Sequence, residues 1–237
     1  MKKNGLFRRA FRLKESNCTI ISDREANIEK AIGSIEHHRK QLEKYVQKNS
    51  EFLYSLKPVP VSNSPKVARL MAAASLKAEV GPMAAVAGVL ADLAVEEMVR
   101  AGSKVAVVEN GGEVSATSNQ SVDIALVAGD APLSREIGFR LKEFPVGVAT
   151  SSGLYSHALS FGKAEAVTVF AVNAGIADAA ATAVANLIEG EDVRNIIREG
   201  LSRALSIEGV KGAFILYRGK VGKAGQVPEL IKVNPKQ

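Results

Sequence analysis

Four short segments combine glycine, small hydroxyls and charge in arrangements that could do chemistry. In Ala177-Asp178-Ala179-Ala180-Ala181-Thr182, the acid and the hydroxyl stand four residues apart, so a helix would project Asp178 and Thr182 on one face among small neighbours. Such a pair makes a magnesium site only when carbonyls, waters or substrate phosphates complete six oxygens. The plainer alternative is that Asp178 caps the helix and Thr182 fills space. In Glu109-Asn110-Gly111-Gly112-Glu113, paired glycines that let a backbone approach a ligand lie between two carboxylates able to hold a hydroxyl or a cation. The same residues describe a tight turn. Thr150-Ser151-Ser152-Gly153 could form a nest of amides and hydroxyls for phosphate, with His157 near enough in sequence to serve as a base. An ordinary polar turn has that composition too. Gly81-Pro82-Met83 opens a helix, whose free N–H groups and positive dipole end suit an anion, although most such starts bind water or a side chain. No Gly-x-Ser-x-Gly arrangement accompanies these segments, and no triad partner for a serine can be named.

The elements that must position these segments follow from periodicity. Residues 6–21 alternate weakly and read as one or two strands. Ser22 or Asp23 then caps a long helix whose stripe is Ile28, Ala31, Ile35, His38, Leu42 and Tyr45. His38 on that stripe reads as a border histidine packed against the core, because the helix supplies no metal or catalytic partners for it. Pro58-Val59-Pro60 is an extended linker, and Ser64-Pro65 starts a second helix with a capping serine. Gly81-Pro82 ends that helix and begins another, running to about Arg100 and stopped by Gly102. Its small residues, Ala84 to Ala91, allow close approach to a neighbour.

Segments 104–108 and 122–127 read as strands joined through Gly111-Gly112 and a polar turn near Asn119. A short helix over 135–142, strands over 146–150 and 166–172, a small-residue helix over 176–188 and a last strand over 213–218 follow. Gly219, Gly222 and Gly225 then give a glycine-rich tail. Helices grouped between strand pairs predict an α+β fold with a largely antiparallel sheet.

Composition excludes several function classes. The net charge is +6, and the whole excess lies in the first 14 residues, where Lys2, Lys3, Arg8, Arg9, Arg12 and Lys14 face no acid. From Glu15 onward 25 basic residues meet 25 acidic ones. With aromatics at 5% and no tryptophan, nothing suggests a basic stripe with stacking platforms, so no nucleic-acid partner is expected. The basic start suits a protected sheet edge better than an anionic ligand. Hydrophobics at 46% exclude disorder for most of the chain, and the lone Cys18 excludes an internal disulfide framework. A cysteine in an apolar strand reads as inert packing. No apolar run reaches about 18 residues, so no membrane partner is expected and a cytoplasmic location is. Small-residue helices and antiparallel edges are compatible with a homodimer.

Taken in order, six segments resemble the ApbE-like superfamily, whose best-known members are FAD:protein FMN transferases, and more closely its compact, functionally unassigned prokaryotic branch. They are Lys14-Glu15-Ser16, the run from Gly81-Pro82-Met83 to Gly88, Glu109-Asn110-Gly111-Gly112-Glu113, Thr150-Ser151-Ser152-Gly153, His157 through Ser160-Phe161-Gly162-Lys163, and Ala177 through Thr182. The resemblance implies a two-layer T-fold-like architecture in a single domain over 1–237, with a strand-helix region at 1–60 and the motifs in 61–237. It gives Asp178 and Thr182 a Mg2+ role, through likeness to the Ala-Asp-x-x-Ala-Thr motif of the transferases. It places Asn110, Gly111, Gly112 and Glu113 near a flavin nucleotide, FAD or FMN, with Gly81, Pro82, Met83, Thr150, Ser151, Ser152 and Gly153 as further cofactor contacts and His157 as the catalytic residue. Where the transferases carry Asp-Pro-x-Thr-Gly, this chain has Ser160-Phe161-Gly162-Lys163. The expected function is a Mg-dependent transferase or hydrolase acting on a flavin or nucleotide. The alternatives are a non-catalytic flavin or nucleotide binder, or a helper in anaerobic sulfur assimilation.

Overall fold

Alternating side chains on antiparallel strands generate a sheet with two different faces, and that alternation organises the whole molecule. The computed structural model describes residues 2–3, 5–127, 133–152 and 162–233. The strands are β1 (Lys2–Lys3), β2 (Leu6–Leu13), β3 (Ser16–Ser22), β4 (Val105–Asn110), β5 (Glu113–Ser118), β6 (Val122–Ala125), β7 (Ile137–Leu141), β8 (Val146–Ser151), β9 (Ala166–Ala171), β10 (Val210–Tyr217), β11 (Lys220–Gly225) and β12 (Glu229–Lys232). The helices are α1 (Glu25–Lys48), α2 (Ser50–Tyr54), α3 (Lys66–Ala78), α4 (Val86–Arg100), α5 (Ala174–Ala185) and α6 (Val193–Ser206), with a 3₁₀ turn at Pro82–Ala85 before α4.

Nine strands form one sheet in the order β1-β2-β3-β4-β5-β8-β9-β10-β11, and β12-β7-β6 form a second. Their pairings are antiparallel, as the α+β reading expects. On one face of the large sheet, Ala106 and Val108 of β4 pack with Ile28, Ile35 and Met98 of the helices. Val167, Val169 and Ile215 of β9 and β10 pack beneath α5 in the same way. On the other face, Val105, Val107, Val148, Phe170 and Phe214 meet Phe139 and Leu141 of the small sheet. Helices and large sheet are the two principal layers, and the small sheet covers part of the back.

Several sequence expectations are corrected. The helix expected over 135–142 is β7, where Ile137, Phe139 and Leu141 alternate with Gly138 and Arg140. The glycine-rich tail is not loose: β11 pairs with β10, and β12 pairs with β7. Glu113–Ser118 is a strand and not part of a turn, and α6 was not anticipated. Asp192 opens α6 by accepting from Asn195 N, the capping signal that marks its start. Neither expected serine cap forms. Ser22 Oγ accepts from Arg24 N ahead of α1, while Asp23 Oδ1 accepts from Lys104 N and Val105 N, tying α1's entry to β4. At α3 the cap position is Pro65, and Ser64 Oγ is buried without a hydrogen-bond partner. His38 takes the bland role: its ring bonds Gln41 and burial lowers its pKa. Among the described residues, no single helix is long and apolar enough to cross a membrane.

Candidate functional site

α5 is built from small residues, with Ala177, Ala179, Ala180 and Ala181 all buried, so its partners approach closely. A Cβ on Gly88 of α4 would lie 2.2 Å from the Ala174 carbonyl oxygen, which forces glycine there. At that crossing the two helices exchange caps. Asp178 Oδ2 of α5 accepts from Gly88 N at 3.0 Å, and the Ala87 amide also favours its charge, so a carboxylate sits on the first turn of α4. In return Asp92 of α4 accepts from Ala174 N at 2.9 Å and Gly175 N at 2.8 Å, and from the Ser115 hydroxyl at 2.7 Å. Asp178 therefore does cap a helix, but its neighbour's and not its own, where Asn173 serves.

β4 and β5 deliver the second acid. Gly111 and Gly112 adopt φ of 73° and 120°, backbone that only glycine holds without strain, and they turn the chain from Asn110 to its cross-strand partner Glu113. Gly112 N donates to Glu109 Oε1 and Gly111 N to Asn17 O. Asn110 is buried and spoken for: Nδ2 donates to Ala87 O at 3.1 Å, and Oδ1 accepts from the Cys18 thiol at 3.4 Å. It fastens the hairpin to the start of α4. Glu113 then shares the neighbourhood of Asp178, and the two charges repel.

The electrostatics follow from burial and like charge. Burial, then Glu113 and Asp92, push Asp178 well above the usual carboxylate range, against the pull of the Gly88 and Ala87 amides. Glu113 is pushed up to about 7, by burial first and then by Glu109. Burial also raises Asp92, which its Ser115, Ala174 and Gly175 donors oppose. Oxygen donors whose mutual repulsion a divalent charge would relieve suit a hard cation such as magnesium. Among the described residues no three Asp, Glu, His or Cys converge as a metal cage, so a cation there would take most of its six oxygens from ligand and water.

The other expected contacts are distributed as follows. Thr182 lies one turn along α5 from Asp178. Because Val114 pairs with Val148, β8 ends beside Glu113, and Ser151 shares the helix-side face of Glu113 while Thr150 lies on the opposite face with Val148 and Thr168. Their neighbours absorb some of the hydroxyls, with Thr150 Oγ1 2.9 Å from Thr168 Oγ1 and Ser152 Oγ 3.5 Å from Ala164 O. Pro82 and Met83 lie in the 3₁₀ turn, and Gly81 is accounted for by packing, since a Cβ there would meet the Ser55 carbonyl. The first-turn amides of α4, expected to suit an anion, are those taken by Asp178. His157 and Gly153 lie outside the described residues. A cavity of about 480 Å³ opens toward the other end of α4, lined by Asp92, Val95, Ser115, Val146, Asn173 and Ile176 among others. Sequence reasoning missed Asp92; its signal is an acid four residues after Gly88 inside an apolar, small-residue helix.

Known proteins repeat this architecture. The apo crystal structure of the flavinyl transferase ApbE of Pseudomonas stutzeri superposes with a TM-score of 0.62 at 18% identity, over 93% of this chain and 94% of that one. The apbe protein of Thermotoga maritima gives a TM-score of 0.61 at 13% identity, over 92% and 97%. At these identities the likeness is one of fold. Sequence relatives are nearer: the UPF0280 protein MJ1526 of Methanocaldococcus jannaschii is 40% identical over 233 residues, 96% of this chain and 94% of its own. The UPF0280 protein of Methanococcus vannielii is 39% identical over 237 residues, 98% and 96% of the two chains. A family described as AbpE bacteria matches residues 1–209, which span the acid exchange at α4 and α5, the Gly111-Gly112 hairpin and β8 alike; the chain belongs to that family.

Proposed function

We propose that this chain binds a flavin nucleotide, FAD or FMN, together with Mg2+, and acts on its phosphates as a transferase or hydrolase. The observation that carries the reading is the convergence of Asp178 and Glu113 beside the start of α4, with Thr182 one turn further along α5. The name of the Pseudomonas stutzeri neighbour, a flavinyl transferase, supports the choice of flavin. Asp178 and Thr182 would hold the cation, and phosphate oxygens and water would complete its shell. Magnesium, when bound, offsets charge developing on a leaving phosphate. Asn110 and the Gly111-Gly112 turn fix Glu113 against that place, and Glu113, with a pKa of about 7, can accept or release a proton near neutrality. His157 is the residue assigned to deprotonate or orient an acceptor hydroxyl.

Titration of FAD, FMN and ADP with and without magnesium tests the site. Asp178→Ala is expected to abolish the magnesium-dependent part of binding, and unchanged titrations would sink the assignment. A second reading, a flavin carrier without chemistry, is favoured by Ser160-Phe161-Gly162-Lys163, which stand where the transferases carry Asp-Pro-x-Thr-Gly. Release of FMN from FAD with magnesium decides between the two. A sulfur-handling role through Cys18 finds no support in its setting: the thiol is buried, bonded to Asn110 and pushed up to about 12.

A further inference from the structure

The Lys14-Glu15-Ser16 turn between β2 and β3 is a sequence motif that the site as described leaves without a task. Beneath it lies Arg39 of α1, whose side chain is only 14% exposed. Its guanidinium donates to Ser16 Oγ at 2.8 Å and pairs with Glu15, while Nε lies 3.5 Å from Glu43 Oε1 and is buried without a hydrogen-bond acceptor. Lys14 Nζ reaches the same Glu43 oxygen at 2.6 Å. The two acids differ in how they are held. Glu43 is gripped by both cations, whereas Glu15 is 82% exposed and held by Arg39 alone among the ion pairs.

This turn abuts the candidate site. Asn17, the next residue, accepts from Gly111 N of the glycine hairpin, and Cys18 bonds Asn110, which bonds Ala87 at the start of α4. Arg39 is near enough to the Cys18 thiol for its charge to oppose, in part, the burial and the Glu109 charge that push that thiol up. Across that short path stand Asp178, Glu113 and Asp92, all acids. A phosphate placed near three acids is favoured by a cationic donor, and a planar guanidinium is suited to phosphate oxygens.

The geometry points to Arg39, seconded by Lys14, as the group that holds a phosphate or pyrophosphate at this end of the fold, with Glu15 as the carboxylate that occupies the guanidinium until the anion displaces it. The inference takes only the identity of the phosphate's bearer, a flavin nucleotide, from the proposed function.

Three probes separate the two ideas: inorganic pyrophosphate, FMN, and riboflavin, which has the ring of FMN without its phosphate. Arg39→Gln is expected to weaken pyrophosphate and FMN about 10- to 100-fold, the range of a charge-assisted contact, and to leave riboflavin unchanged. Arg39→Lys, keeping charge but losing the fork, should fall between. Glu15→Gln is expected to tighten pyrophosphate and FMN about threefold or more, since it removes the competitor. Because Glu15 is exposed, that variant stands even if Arg39→Gln fails to fold by circular dichroism; unaltered affinity in Glu15→Gln, or in a folded Arg39→Gln, overturns the proposal. So does a wild-type protein that ignores pyrophosphate and does not prefer FMN to riboflavin. Arg39-dependent pyrophosphate binding without any flavin binding upholds the anion subsite and rejects the flavin reading.

Discussion

Glu113 and Asp178 share one difficulty, that each must ionise beside the other in a place that water reaches poorly. For Glu113 the folded pKa of about 7 lies above the ordinary 4.5, so between those values the unfolded chain has lost a proton that the folded chain still holds. The contribution of Glu113 to stability therefore falls as pH rises from 4.5 to 7, the opposite of a salt-bridged carboxylate. Glu113→Gln is expected to flatten that part of the curve of melting temperature against pH. An unchanged slope would mean that Glu113 is not the group titrating. A bound divalent cation favours the ionised acids, so magnesium affinity should rise through pH 7, and less so in Glu113→Gln. The sequence displayed Asp178, Glu113 and the glycine pair because each stands in a short segment of unusual composition. Arg39 and Asp92 were not visible that way, since each acts through a partner far along the chain: Ser16 for one, Ser115 and the α5 amides for the other.

At the level of elements, α4 and α5 hold each other by an exchange that neither segment reveals alone. Asp92→Ala strands two α5 amides and the Ser115 hydroxyl, and should cost on the order of 2–4 kcal/mol by denaturant unfolding, with Asp92→Asn milder because it keeps an acceptor. Gly88→Ala drives a methyl into the Ala174 carbonyl and should cost roughly 1–3 kcal/mol while moving the Asp178 carboxylate off the α4 amides. A variant as stable as the parent would show that the helices can part freely. Long periodic elements such as α1 were legible because a stripe of Ile28, Ala31, Ile35 and Leu42 has only one helical explanation. β7 was misread because Arg135, Glu136 and Lys142 are good helix formers, while the deciding feature is the partner strand on either side.

Across the whole molecule, the sheet's two faces set different demands, and the basic excess that composition located at the start of the chain is part of that arrangement. Arg9 pairs with Glu29 and Lys14 with Glu43, so the first strands are fastened to α1 by the very charges that skew the total. The back face is closed by β6, β7 and β12; the strand read over 122–127 contains β6, but β12 reaches β7 from far along the chain, which is why no local pattern announced that pairing. Their hold on the large sheet centres on Phe139, whose ring meets Phe170 edge-on at 4.9 Å and Phe214 at 5.5 Å. Phe139→Ala should therefore cost about 3–5 kcal/mol and release the small sheet first. Amide exchange is expected to quicken over β6, β7 and β12 while β8, β9 and β10, sandwiched under α5, stay protected. Because the acids and Arg39 lie on the helix side, ligand affinity should survive that loss at temperatures where the large sheet persists. Equal quickening in β8 to β10 would instead mean that both faces melt as one unit and that the site depends on the back sheet after all.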